Sequence, residues 1–214
     1  MLPSSLFNLL RVATTIYALP AKRTSNPALS ASAIMRIDPK TATCDNAPAA
    51  DECRTAVQAA PYIVVSFTNF GITSFGEQAA LLSLMLYETG SFKYSTNHFP
   101  GVPGQGTRNM QSPAFNLEYA TWLSTVCTNC GITPTAVQEA MNESPAAVLD
   151  LVNGDEWGFG SAAWFLATQC DVSVRTGLAA GTQEGWAAYL QCAGAAQSAE
   201  RDQVWNAAMA LGQS

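Results

Sequence analysis

The chain has 214 residues, of which 48% are apolar and only 12% charged, with 16 acidic against 10 basic side chains and a net charge of -6. That is material for a sizeable core and excludes a disordered chain; the acidic balance excludes the basic footprint that nucleic acid requires. One histidine, His98, excludes any site built on two or three imidazoles.

Taken from the N-terminus, residues 6–20 form a mostly apolar run interrupted by Arg11, and Lys22-Arg23 follows at once. The run is too short for a membrane span and of the right length for a signal h-region. Residues 1–23 therefore read as a signal peptide with a dibasic processing site. Residues 24–43, rich in Ser, Ala, Thr and Pro, read as a pro-segment or linker, and residues 44–214 as the folded domain. Loss of residues 1–23 removes three cations and takes the net charge to -9. No later stretch is long and apolar enough to cross a bilayer. The expected product is a secreted, extracellular monomer with no membrane or nucleic-acid partner.

Six cysteines, at 44, 53, 127, 130, 170 and 192, suit an oxidising compartment. Neighbour pairing is the simplest pattern: Cys44–Cys53, Cys127–Cys130 and Cys170–Cys192. The rival takes Cys127-Thr128-Asn129-Cys130 as half of a zinc site or as a redox motif. A zinc site needs a second paired knuckle, which Cys44 and Cys53, nine apart, do not supply. No metal is expected.

From Cys44 onward the punctuation is helical. A helix is predicted from about 51 to 70, kinked or split at Pro61. Ser74-Phe75-Gly76-Glu77 has the form of a capping box, and the segment 78–87 behind it is apolar on nearly every face, so it is surrounded by protein. Gly90 ends it as a C-cap. Residues 91–113 carry three glycines and three prolines and read as a long loop of the kind that is usually functional or disordered. Thr133-Pro134 and Ser144-Pro145 start further helices, and three more follow at 161–169, 182–192 and 198–211. Strand signals are poor. The chain is mainly α around one central buried helix.

Glu88 breaks the pattern. It ends that apolar helix, where burial and the negative end of the helix dipole both favour a neutral carboxyl. A carboxylic acid kept neutral is what a general acid needs to protonate a glycosidic oxygen. A carboxylate that simply tips into solvent at the helix end is the bland alternative.

The residues after Glu88 sharpen the choice. Glu88-Thr89-Gly90-Ser91-Phe92, a Gly-rich loop, and Gly106-Thr107-Arg108-Asn109-Met110-Gln111 together resemble the goose-type lysozymes and lytic transglycosylases, and the secreted fungal muramidases of lysozyme-like fold. The specific match covers roughly residues 77–117. The resemblance implies a lysozyme-like fold, Glu88 as catalytic acid and Met110-Gln111 as cleft-lining residues, with Thr89 in place of the usual Ser. Goose-type enzymes carry a second acid in the loop or just after Met-Gln; here nothing acidic lies between Glu88 and Glu118. A catalytic base would come from Asp155 or Glu156, in the segment 153–160, read as lying between helices. Lytic transglycosylases need no such base, because the substrate's own hydroxyl closes on the anomeric carbon.

Tyr94, Tyr119 and Trp157 are candidates to stack on sugar rings, and His98 and Gln111 to hydrogen-bond substrate. Core packing suits Trp122, Trp164, Trp186 and Trp205. The functional expectation is a secreted glycoside hydrolase, a muramidase cleaving the β-1,4 bond between N-acetylmuramic acid and N-acetylglucosamine in peptidoglycan, with no cofactor. Chitin or chitosan is the alternative polymer. A non-catalytic wall-binding or host-interaction protein of the same fold is the rival from another class, since an anionic protein gains no attraction to an anionic wall.

Overall fold

The computed structural model describes residues 30–213. The leader and processing site predicted at 1–23 lie outside the described residues, as does the first part of the stretch 24–43. The rest of that stretch corrects the linker reading: Ser30 caps helix α1 (Ala31–Ile37), and Asp38 caps a 3-10 turn (Pro39–Ala42). Ala33 and Ile34 are fully buried, so this segment belongs to the fold. Its short helix is fixed by packing against α2, which a search for long periodic runs passes over.

Among the described residues all the regular structure is helical. After α1 come α2 (Ala56–Asn69), α3 (Phe75–Glu88), α4 (Pro113–Val126), α5 (Pro134–Glu143), α6 (Pro145–Val152), α7 (Asp155–Thr168), α8 (Val172–Ala179), α9 (Gln183–Cys192) and α10 (Ala199–Ala210), with a last 3-10 turn (Leu211–Gln213). Helix α2 is continuous through Pro61, correcting the split: Pro61 sits on the exposed side, and Val57, whose carbonyl loses its partner, is exposed to solvent. The capping box at α3 is present, Ser74 and Glu77 each serving the other's amide. Thr133 and Ser144 cap α5 and α6 as their Pro successors indicated.

Helix α3 is the axle. Every residue from Gly76 to Leu86 is buried, enclosed chiefly by α10 and α8. One apolar cluster gathers α3 with α2, α7, α9 and α10 around Ile63, Met85, Phe159 and Trp186; a second joins α4, α5 and α6 to α7 around Tyr119, Leu123 and Trp164. Helix α7 serves both. It begins at Asp155, six residues earlier than predicted, because Gly154 caps it with no side-chain bond; the segment 153–160 is thus mostly helix, not an interhelix loop. All six cysteines form disulfides in the neighbour pattern, Cys44–Cys53, Cys127–Cys130 and Cys170–Cys192, which leaves no thiolate for the zinc reading. No described helix is long and apolar enough to cross a membrane.

Candidate functional site

Helix α3 delivers Glu88 to the surface and stops. Thr89, itself buried, donates its hydroxyl to Met85 O at 2.6 Å and accepts the Phe92 amide at 2.9 Å. Ser91 N–H reaches back to Leu86 O at 2.8 Å; Thr89 is the C-cap, one residue before the Gly90 predicted, and Gly90 takes the left-handed position after it with φ +55°. Phe92 then drops into the core, edge-on to Phe159. The helix end is therefore rigid, and Glu88 leaves it in a fixed direction.

The Gly-rich stretch that follows is an ordered turn. Asn97 N–H donates to Gln105 O and Gly106 N–H to Gln111 O, forming single antiparallel bridges from Gly106 to Thr96 and Gln111. Glu52 locks its first half: one carboxylate oxygen accepts the amides of Ser95 and Thr96 at 2.6 and 3.0 Å, the other meets His98 Nε2 at 2.8 Å. Burial pushes the Glu52 carboxyl up, but the bonds from Ser95, His98 and Thr96 together outweigh it and hold the group below the ordinary carboxylate range.

Arg108 locks the second half from inside. Only 1% exposed, its guanidinium donates to the carbonyls of Phe92, Tyr94 and Glu52 and lies 4.9 Å from the centre of the Phe159 ring. Desolvation lowers its pKa to about 10, partly offset by Asp155, so it stays charged at neutral pH. Ser91, Phe92, Thr107 and Met110 all take positive φ. Such residues cluster where surrounding structure holds a functional geometry.

The result is a groove of about 390 Å³ lined by Glu88 from the helix and by Asn109, Met110 and Gln111 from the loop, Leu84, Phe115 and Phe165 supplying apolar surface. Two amide oxygens of the loop, Asn109 Oδ1 and Gln111 Oε1, are buried and accept no hydrogen bond, which asks for an explanation. Gln111 is oriented by its amide nitrogen, which donates to Asn116 Oδ1 at 3.0 Å, while Asn116 donates to Gly104 O and Gln111 O. The free oxygen is thus set by a network.

Glu88 does not stand in purely apolar surroundings, and that expectation is corrected. Its side chain is 22% exposed and its Oε1 accepts from Arg201 Nη2 at 2.7 Å and Nε at 3.2 Å. Arg201 is held in turn by Ala196 O and by the face of Tyr87, 4.3 Å from its guanidinium carbon. Glu88 Oε2 has no hydrogen bond among the described residues. Tyr189, fully buried in α9, is pushed far up by desolvation and then by the charge of Glu88, so its phenol stays neutral.

Of the residues named from sequence, Glu88, Met110 and Gln111 come together; the others do not. Asp155 is engaged by Arg54 at 2.7 Å and by Arg108 at 3.6 Å, so it is an anchor for the loop, not a base in the groove. Glu156, Trp157 and Tyr119 line a different groove with no residue in common with the first. Tyr94 and His98 pack on each other, 5.2 Å between ring centres, and line neither groove. Tyr119 is buried, with its hydroxyl donated to Trp157 O. Trp164, Trp186 and Trp205 are core residues, whereas Trp122 lines the second groove. Arg201, Asn109 and Arg108 were missed as site residues; Arg108 and Asn109 lay inside the quoted Gly106–Gln111 segment, but Arg201 has no local signal. Glu88 is the one carboxylate among the described residues lining the first groove. No cluster of three or more His, Cys, Asp or Glu side chains suited to a metal occurs among the described residues.

No protein family matches the chain, and no solved structure does. A stretch of 153 residues, 71% of the chain, is 40% identical to a protein of Fusarium oxysporum (strain Fo5176) described as a bifunctional dioxygenase (DOX)-epoxy alcohol synthase (EAS). The chain spans only 12% of the length of that relative.

Proposed function

We propose that the chain is a secreted, lysozyme-like glycosidase that cleaves β-1,4-linked amino-sugar polymer, peptidoglycan first, with Glu88 as the acid. The observation that carries this reading is the groove itself: a lone carboxylate at the tip of a buried helix faces a rigid loop bearing two unbonded amide oxygens. Both oxygens lie just beneath the groove surface, so a sugar hydroxyl or N-acetyl N–H reaches them only when a side chain of that lining shifts. Both Arg201 nitrogens converge on Oε1, so Oε2 is the oxygen on which Glu88, protonated from solvent before cleavage, carries the proton that passes to the bridging oxygen of the substrate. As that C–O bond breaks, the carboxylate left behind is stabilised by Arg201.

With one acid in the groove, the second half of the reaction falls to the same residue. The carboxylate of Glu88 then removes a proton either from water or from a hydroxyl of the sugar itself, and the latter needs no separate base. The dioxygenase and epoxy alcohol synthase activities in the relative's description are not carried over, because the shared stretch is a small part of that protein; such a match is what a portable module gives.

One observation favours a rival. The Glu88–Arg201 pair is also a contact that a non-catalytic wall-binding protein would keep for stability. Incubation with insoluble peptidoglycan, chitin and chitosan separates the readings. Soluble fragments from peptidoglycan are expected, with reducing ends for hydrolysis or 1,6-anhydro ends for transglycosylation. Retention of the protein on the wall with no fragment released would support the rival instead.

A further inference from the structure

A second groove, larger than that of Glu88, lies away from it. It has a volume of about 570 Å³ and runs between α2, α4 and the first turn of α7, within the range of roughly 300–1,000 Å³ typical of ligand sites. Tyr62, Phe70, Trp122 and Trp157 form its aromatic lining, with Tyr119 beneath and Glu156 beside them. Tyr62 is 38% exposed. Val65 and Val126, about half exposed, extend the apolar lining.

We propose that this groove binds a small organic cation, an ammonium carried on an apolar or aromatic body, with the ammonium between the rings and Glu156. Charge is the first reason. Glu156 is the one charged residue of the lining, which has no Lys, Arg or His, and no ion pair or hydrogen bond engages its exposed carboxylate among the described residues. Its charge reaches into the groove, since it adds to desolvation in pushing the Tyr119 phenol up. Ring geometry is the second. Phe70 stands at 42° to Trp122, 5.4 Å away, whereas Tyr119 lies nearly parallel to Trp122. Rings at several inclinations make walls around a cation and attract it through their faces.

A sugar is less well matched. Aromatic rings with Val65, Leu123 and Val126 make up most of the lining, and the hydroxyls of Tyr119 and Ser66 are already donated to Trp157 O and Ile63 O. The inference is independent of the role of Glu88, because the two grooves share no residue.

The test is titration of the full chain with benzyltrimethylammonium, benzyl alcohol and benzoate, followed by calorimetry and tryptophan fluorescence. The cation is expected to bind saturably. Glu156→Gln and Trp157→Ala should each weaken it about five-fold, the size of one exposed charge or cation–π contact. Benzoate should not bind, and Glu88→Gln should leave the affinity unchanged. Unchanged thermal midpoints in Glu156→Gln, whose side chain is exposed, exclude a folding effect. Equal affinity for benzyl alcohol, an unaffected Glu156→Gln, or no saturation with the cation overturns the proposal. So does binding of a chitin oligosaccharide that Trp157→Ala abolishes and Glu156→Gln leaves alone.

Discussion

Arg201 donates two hydrogen bonds to a single oxygen of Glu88 across 113 residues of sequence. That pairing joins the end of α3 to the first turn of α10 and fixes which carboxylate oxygen is left for chemistry. Removing one partner of such a pair strands the other charge. Because both side chains keep some exposure, Arg201→Met is expected to cost about 1–2 kcal/mol rather than the full penalty of a buried pair. A double-mutant cycle with Glu88→Gln, read by denaturant unfolding, should show a coupling of about 0.5–3 kcal/mol. Additive effects of the two changes would show that the contact is not energetically real.

Arg108 is predicted to be the least replaceable side chain of the loop. Its guanidinium serves three backbone carbonyls from a fully enclosed position. Arg108→Met leaves those acceptors unpaired and should destabilise the protein by about 3 kcal/mol or more. Arg108→Lys should rescue little, since one ammonium cannot reproduce the planar fork. Chemical denaturation of both variants checks this; a Lys variant as stable as the parent would contradict it.

Gly106 is held by space. A methyl group there would meet Ser95 O at 2.5 Å and Leu149 at 2.7 Å. Gly106→Ala is expected to cost about 1–3 kcal/mol and, through the Gly106–Gln111 bridge, to displace the groove wall and lower glycosidase activity. Retained activity and an unchanged unfolding midpoint would show that the wall accommodates the methyl group.

Glu52 makes the loop acid-sensitive. Its carboxyl is held below the ordinary range in the folded protein, so the unfolded chain takes up the proton first as pH falls. The stability Glu52 provides is complete above its unfolded value of about 4.5 and drains away as pH falls through the folded value. Glu52→Gln should therefore unfold with a shallower dependence on pH below about 4.5 than the parent does. Parallel curves for the two proteins would remove Glu52 from the acid response.

The parts of this molecule that could be read from sequence are those with local causes. Ser74 and Glu77 announce α3 because a capping box is complete within four residues, and the Pro after Thr133 or Ser144 does the same for α5 and α6. Glu88, Met110 and Gln111 were placed together by the family resemblance, and in the structure a helix end and one ordered loop bring them to the same groove. Asp155 and Glu156 misled for the opposite reason: Gly154 caps α7 without a side chain, so its first turn looked like loop, and only the fold reveals Arg54 and Arg108 on Asp155. Tyr119 and Trp157 were recognised as ring surfaces, but the groove they line is set by how α4 packs beside α7. Arg201 was invisible, since nothing near Ser198 points toward residue 88.

The central claim is that one carboxyl group breaks a sugar–sugar bond. The most direct measurement is fragment release from purified peptidoglycan by the parent protein and by Glu88→Gln, each confirmed as folded by its thermal midpoint. Release by the parent and a loss of about 100-fold or more in the variant is the predicted result, the usual size of a general-acid contribution. Equal release by the two folded proteins, or none by either, would contradict it.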